Sequence, residues 1–95
     1  MAGFWIVRGS DVKDQEAFDE YARLANPIVK KYGATIVAGR SRHQTREGEE
    51  YARVLLIEFP TFDQAIACYD DTEYQASLTY AHKAYDRELV IVEGV

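Results

Sequence analysis

Apolar and polar residues along the chain alternate between two kinds of pattern. Phe4 to about Gly9 is an aromatic and β-branched run that predicts a first strand. Asp14 then stands where a helix N-cap belongs, its carboxylate able to accept from the free amides of the first turn. Phe18, Tyr21, Ala22, Ala25, Ile28, Val29 and Tyr32 follow at steps of three and four, which places them on one helical face. Pro27 lies inside that stripe and predicts a kink or a short break near Asn26, because it lacks a backbone donor and crowds the carbonyl one turn back. Gly33 closes the helix in a left-handed conformation. A second strand is expected from Ala34 to about Thr45, fraying into the charged stretch that begins at Arg40. A turn at Glu47-Gly48-Glu49 leads to a third strand over Tyr51 to Phe59. Pro60-Thr61 ends it, and Thr61 with Gln64 has the spacing of a capping box. Phe62, Ala65, Ile66 and Tyr69 stripe a short helix. Asp71-Thr72 restarts helix, with Tyr74, Leu78, Ala81 and Tyr85 on one face, and Glu88 to Glu93 is the last strand.

The order is β-α-β-β-α-β with the second helix broken in two. It predicts an α+β, ferredoxin-like fold in a single domain over residues 1–95, a four-stranded antiparallel sheet with helices on one face. First and third strands belong in the centre, fourth and second at the edges. The strands are nevertheless apolar on both sides: Phe4 and Ile6 oppose Trp5 and Val7, Val54 and Leu56 oppose Leu55 and Ile57, and Val90 and Val92 oppose Leu89 and Ile91. A helix-free face of that kind exposes several hundred Å², about the limit for a soluble monomer. At about 25 cal/mol per Å² its burial is worth on the order of 10 kcal/mol before association costs. A homodimer paired face to face, a dimeric α+β barrel, is the expected solution. A monomer with its long hairpin folded over the open face is the alternative.

Charge narrows the partners. Eleven Lys and Arg against sixteen Asp and Glu leave −5, which argues against nucleic acid and against an anionic membrane surface. At 47% hydrophobic and 28% charged the chain has the composition of a globular domain, not a disordered one. Cys68 is the single cysteine, so neither an internal disulfide nor a thiolate metal cluster is available. The opening MAGFWIVRGSD lacks the form of a signal peptide and no stretch approaches a membrane span, so a cytoplasmic location is expected.

Several segments together resemble the domain of unknown function 1330 family, small bacterial proteins within the dimeric α+β barrel superfamily. They are Val54-Leu-Leu-Ile-Glu-Phe-Pro-Thr-Phe-Asp-Gln-Ala, Ala67-Cys-Tyr, Glu73-Tyr-Gln and Leu89-Val-Ile-Val-Glu-Gly-Val, with Trp5-Ile6 near the start and Lys31-Tyr-Gly before the second strand. The resemblance implies the ferredoxin-like fold and the dimer, and no particular activity. Superfamily relatives include cofactor-independent monooxygenases, muconolactone isomerases and haem-degrading enzymes, an analogy of fold alone. Where members of the family often carry His or Asn followed by Ser-Pro, this chain has Asp70-Asp71-Thr72.

Candidate chemistry is sparse. Taking the first and third strands as parallel neighbours puts Arg8 and Glu58 at one rim of the sheet, where they form either a cation-positioned catalytic carboxylate or a structural ion pair. Tyr69 and Tyr74 are candidates to line a ligand pocket, each offering an apolar ring and a polar tip, or else to fill the core. Asn26, just before Pro27, is a further ligand-binding candidate facing the cleft between helix and sheet, or it satisfies the carbonyl that Pro27 frees. His43 and His82 are too far apart, and too poor in neighbouring ligands, to form a metal site. No cofactor is expected. These features predict a homodimer that binds a small molecule, either as an enzyme acting on a compact organic acid or aromatic metabolite, or as a non-catalytic ligand binder; a purely structural dimer is the remaining alternative.

Overall fold

The computed structural model describes residues 1–40 and 42–95. Its elements run β1 (Gly3–Gly9), α1 (Gln15–Lys31), β2 (Thr35–Ala38), β3 (Arg53–Phe59), α2 (Phe62–Asp70), α3 (Thr72–Ala84) and β4 (Arg87–Glu93). The strands form one antiparallel sheet in the order β2-β3-β1-β4. This is the α+β arrangement that the alternation of patterns predicts.

Local chemistry explains most of the boundaries. Asp14 accepts from the Ala17 amide at 3.0 Å and starts α1. At the other end Gly33 takes φ +82°, its amide bonding Lys30 and that of Ala34 reaching back to Val29, which satisfies two carbonyls of the last turn. Contrary to the expected break, α1 runs through Pro27 without interruption. Arg23, whose carbonyl loses its partner, and Pro27 are both exposed, so water can take over that bond. Thr61 caps α2 by accepting from the Gln64 amide at 3.1 Å, but Gln64 does not reach back as in a full box; its Oε1 accepts from the Thr61 hydroxyl at 3.2 Å. Asp71 joins α2 to α3, accepting from the amides of Glu73 and Tyr74 and from the Tyr32 hydroxyl at the end of α1.

The second strand is much shorter than the predicted run to Thr45. Its pairing with β3 slips between Ile36 and Ala38. Gly39 then leaves the sheet at φ +112°, so tight against β3 that a Cβ there would stand 2.1 Å from the Val54 carbonyl oxygen. β3 likewise begins at Arg53, not Tyr51.

The helices cover one face. Trp5 and Val7 of β1 pack there with Phe59, Ala65, Cys68, Tyr74 and neighbouring residues. Trp5 is 1% exposed, and its indole N–H donates to the Ala65 carbonyl at 3.0 Å. The other face carries Phe4 and Ile6, Val54 and Leu56, Val90 and Val92; Val90 is 55% and Val92 41% exposed in the single chain. Among the described residues no helix is long and apolar enough to cross a membrane.

Candidate functional site

A cavity of about 850 Å³ lies between α1 and the helix-facing side of the sheet. This is within the usual size range of small-molecule sites. It exists because α1 packs chiefly along α3 and offers the sheet short side chains, Ala22 and Ala25, over a floor that includes Trp5, Val7, Leu55 and Ile57. Its charged lining is one-signed. Lys30, Arg40, Arg53 and Arg87 reach it, and among the described residues it has no carboxylate lining, although the chain as a whole carries −5.

The two inner cations sit in register. Arg53 on β3 and Arg87 on β4 both pair with Gly9 on β1, one on each side, and share the helix-facing side of the sheet. Their Cα atoms are thus two strand spacings apart, roughly 10 Å. Gly9 has no side chain for a physical reason: a Cβ there would lie 2.7 Å from the Tyr85 ring, which occupies the space between the arginines. The Arg53 guanidinium stacks over Phe18 at 4.9 Å and Tyr85 at 5.5 Å from the ring centroids. Its Nε is buried and has no hydrogen-bond partner among the described residues.

Arg87 belongs to a polar cluster. It donates to the Tyr21 hydroxyl at 3.2 Å and to the Tyr74 hydroxyl at 3.0 Å, and the two phenol oxygens are 2.8 Å apart. Burial alone would lower the Arg87 pKa, but the oxygens of Tyr21 and Tyr74 outweigh it and hold the group above its ordinary value. Burial pushes the Tyr74 phenol up, with Tyr21 adding to the effect against the pull of Arg87, so Tyr74 stays protonated. Chemically, the wall offers charge and donors to an oxyanion. It offers no carboxylate or imidazole base among the described residues.

The sequence candidates fall in different places. β1 and β3 are antiparallel, not parallel, so Glu58 lies opposite Phe4 while Arg8 lies opposite Val54. Arg8 and Glu58 do share the helix-free face, but four residues along the strand separate them by about 13 Å. Arg8 pairs instead with Glu88 at 2.9 Å and stacks over Tyr51 at 4.5 Å, with both charged side chains about half exposed. Neither Arg8 nor Glu58 lines the cavity. Asn26 does line it. Tyr74 is fully buried behind the wall and holds Arg87 and Tyr21. Tyr69 packs edge-on to Trp5 and against Tyr74, outside the cavity lining. Cys68 is buried in the core, which pushes its thiol up to about 12. His43 contacts the Tyr51 carbonyl oxygen at 2.9 Å on the exposed loop. Among the described residues no cluster of His, Cys, Asp and Glu is placed to hold a metal ion.

Arg53 and Arg87 are the candidate site residues that sequence reasoning passes over. A usable signal was present: each shares parity with the inward residues of its strand, Leu55 and Ile57 or Leu89 and Ile91, so a cation on a buried face was legible.

The sequence pattern of the domain of unknown function DUF1330 matches residues 2–95. The chain belongs to the DUF1330 family. No curated protein matches it in sequence. Among solved structures, this DUF1330 protein is similar to a protein of unknown function from Rhodopseudomonas palustris, with 16% identity, 99% of this chain and 82% of that chain covered, and a TM-score of 0.75. It is similar to SnoaB, a cofactor-independent oxygenase from Streptomyces nogalater, with 13% identity, 98% and 92% covered, and a TM-score of 0.66. A dimeric protein of unknown function with a ferredoxin-like fold from Bacteroides fragilis is a third, with 16% identity, 98% and 96% covered, and a TM-score of 0.57. At these identities the likeness is one of fold, the ferredoxin-like fold.

Proposed function

We propose that this DUF1330 protein is a homodimer, paired through its helix-free sheet face, that binds a small organic acid in the cavity beneath α1. The observation that carries the ligand class is the one-signed lining: an acidic chain gathers four cations around one apolar cavity and, among the described residues, brings no carboxylate of its own to that lining. A bound carboxylate supplies the missing counter-charge, and an aromatic or aliphatic body fits the apolar floor. The dimer is supported by the exposed apolar face and by the dimeric protein of the same fold from Bacteroides fragilis.

A catalytic use of the same site, without a cofactor, is the second reading. It draws on the likeness to SnoaB and on the Arg87–Tyr21 donors, which can stabilise an anion that forms on the substrate. Native mass spectrometry with benzoate and with benzamide as its neutral isostere tests the primary reading. The expected result is a dimer mass that takes up benzoate and not benzamide. A monomer mass overturns the pairing, and equal uptake of the two, or uptake of neither, overturns the acid site.

A further inference from the structure

Hydrogen-bond polarity in the Arg87 cluster narrows the ligand further. Arg87 can only donate, and it donates to both phenols. Tyr74 is 0% exposed, and among the described residues its oxygen touches only Arg87 and Tyr21, so the acceptor available to the Tyr74 proton there is the Tyr21 oxygen. Were the Tyr21–Tyr74 bond reversed, a buried hydroxyl proton would be left without an acceptor. Tyr21 therefore accepts twice and keeps its own O–H proton unspent. Tyr21 lines the cavity, whereas Tyr74 does not.

The cavity thus presents two unspent donors of different kinds. One is the Arg53 guanidinium, charged and lying over the adjacent rings of Phe18 and Tyr85, with a buried Nε–H that has no partner among the described residues. The other is the Tyr21 hydroxyl, neutral, on the Arg87 side of Gly9. We propose that the ligand is an organic acid bearing a second oxygen acceptor, its carboxylate at Arg53 and its second oxygen receiving the Tyr21 proton. Hydroxy acids of the aromatic series and keto acids have this chemistry; a simple monocarboxylate has only half of it. The inference rests on the cavity being an acid site, as proposed above.

Calorimetry with benzoate, the three hydroxybenzoate isomers and the three chlorobenzoate isomers tests it on the intact protein. At least one hydroxybenzoate is expected to bind at least about tenfold tighter than benzoate and than the chlorobenzoate of the same substitution, which fills similar space without an oxygen. In Tyr21→Phe that advantage disappears. In Arg53→Met all the acids weaken together, while the preference for the hydroxyl persists. If benzoate binds but no hydroxy isomer gains over its chloro counterpart, or the gain survives in Tyr21→Phe, the second acceptor point is wrong and the acid site stands. If no aromatic acid binds, both readings fail. The hydroxy–chloro comparison is made on the wild type, so it decides the matter even where a substitution prevents folding.

Discussion

Tyr74→Phe probes the polar cluster with little change in shape. The substitution deletes one oxygen, which takes an acceptor from Arg87 and a donor from Tyr21. A hydrogen bond to a charged partner contributes about 1.5–3 kcal/mol. The Tyr21 oxygen keeps its bond from Arg87, so the expected loss is toward the middle of that range, about 2 kcal/mol. In a domain of this size that lowers Tm by about 8–16 °C, or moves the urea midpoint by about 1 M at a slope near 2 kcal/mol per M. Tyr21→Phe costs a similar amount for a different reason: it leaves the buried Tyr74 proton without an acceptor. Each single change damages the same network, so the double variant loses about 3 kcal/mol and not the sum of about 4. The assay is urea unfolding at one protein concentration, because the midpoint of the proposed dimer depends on it. A loss below about 0.5 kcal/mol for Tyr74→Phe, or strict additivity in the double variant, refutes the shared network.

Other perturbations test separate parts. Gly39→Ala forces a side chain into the Val54 carbonyl at a backbone conformation foreign to alanine, and is expected to cost at least about 3 kcal/mol by urea unfolding. Val90→Asp places a charge midway along the edge strand β4 on the helix-free face; light scattering is expected to show half the wild-type mass with the circular dichroism spectrum retained. The Tyr32 hydroxyl bond, with the Tyr74 and Glu73 amides, holds the Asp71 carboxyl below its ordinary range, so it stabilises the fold at pH above the unfolded value near 3.8. That contribution fades as pH falls through the lower folded value, and Asp71→Asn is expected to flatten this acid limb in a pH series of unfolding curves. Cys68, with its thiol raised by burial, is expected to react with a disulfide reagent at pH 8 only after denaturant is added.

The fold was largely legible because its signals are local. Asp14, Gly33, Thr61 and Asp71 mark helix ends by side-chain or backbone chemistry that acts within four residues. β2 was overextended because its end depends on Gly39 meeting β3, a contact between residues fifteen apart in the chain that no short pattern encodes. The continuity of α1 through Pro27 likewise depends on which side of the helix is wet. The site was harder to read. Arg8 and Glu58 drew attention through shared parity, which fixes the face and not the end of the sheet; direction fixes the end, and antiparallel pairing separates them. Arg53 and Arg87 are 34 positions apart and become neighbours only through Gly9.

Gly9 has a consequence for relatives of this chain. The space it leaves is taken by an aromatic ring that keeps two like charges apart without a carboxylate between them. Any larger residue there meets both that ring at 2.7 Å and the Asp86 carbonyl oxygen at 2.8 Å, so ring and backbone must both give way beside the cavity. On the acid-site reading proposed above, this one backbone position decides whether a relative keeps room for an acid. A relative with glycine here and arginine at both flanking sheet positions is then expected to bind acids; one that fills the glycine and replaces the arginines with aliphatic residues is expected not to.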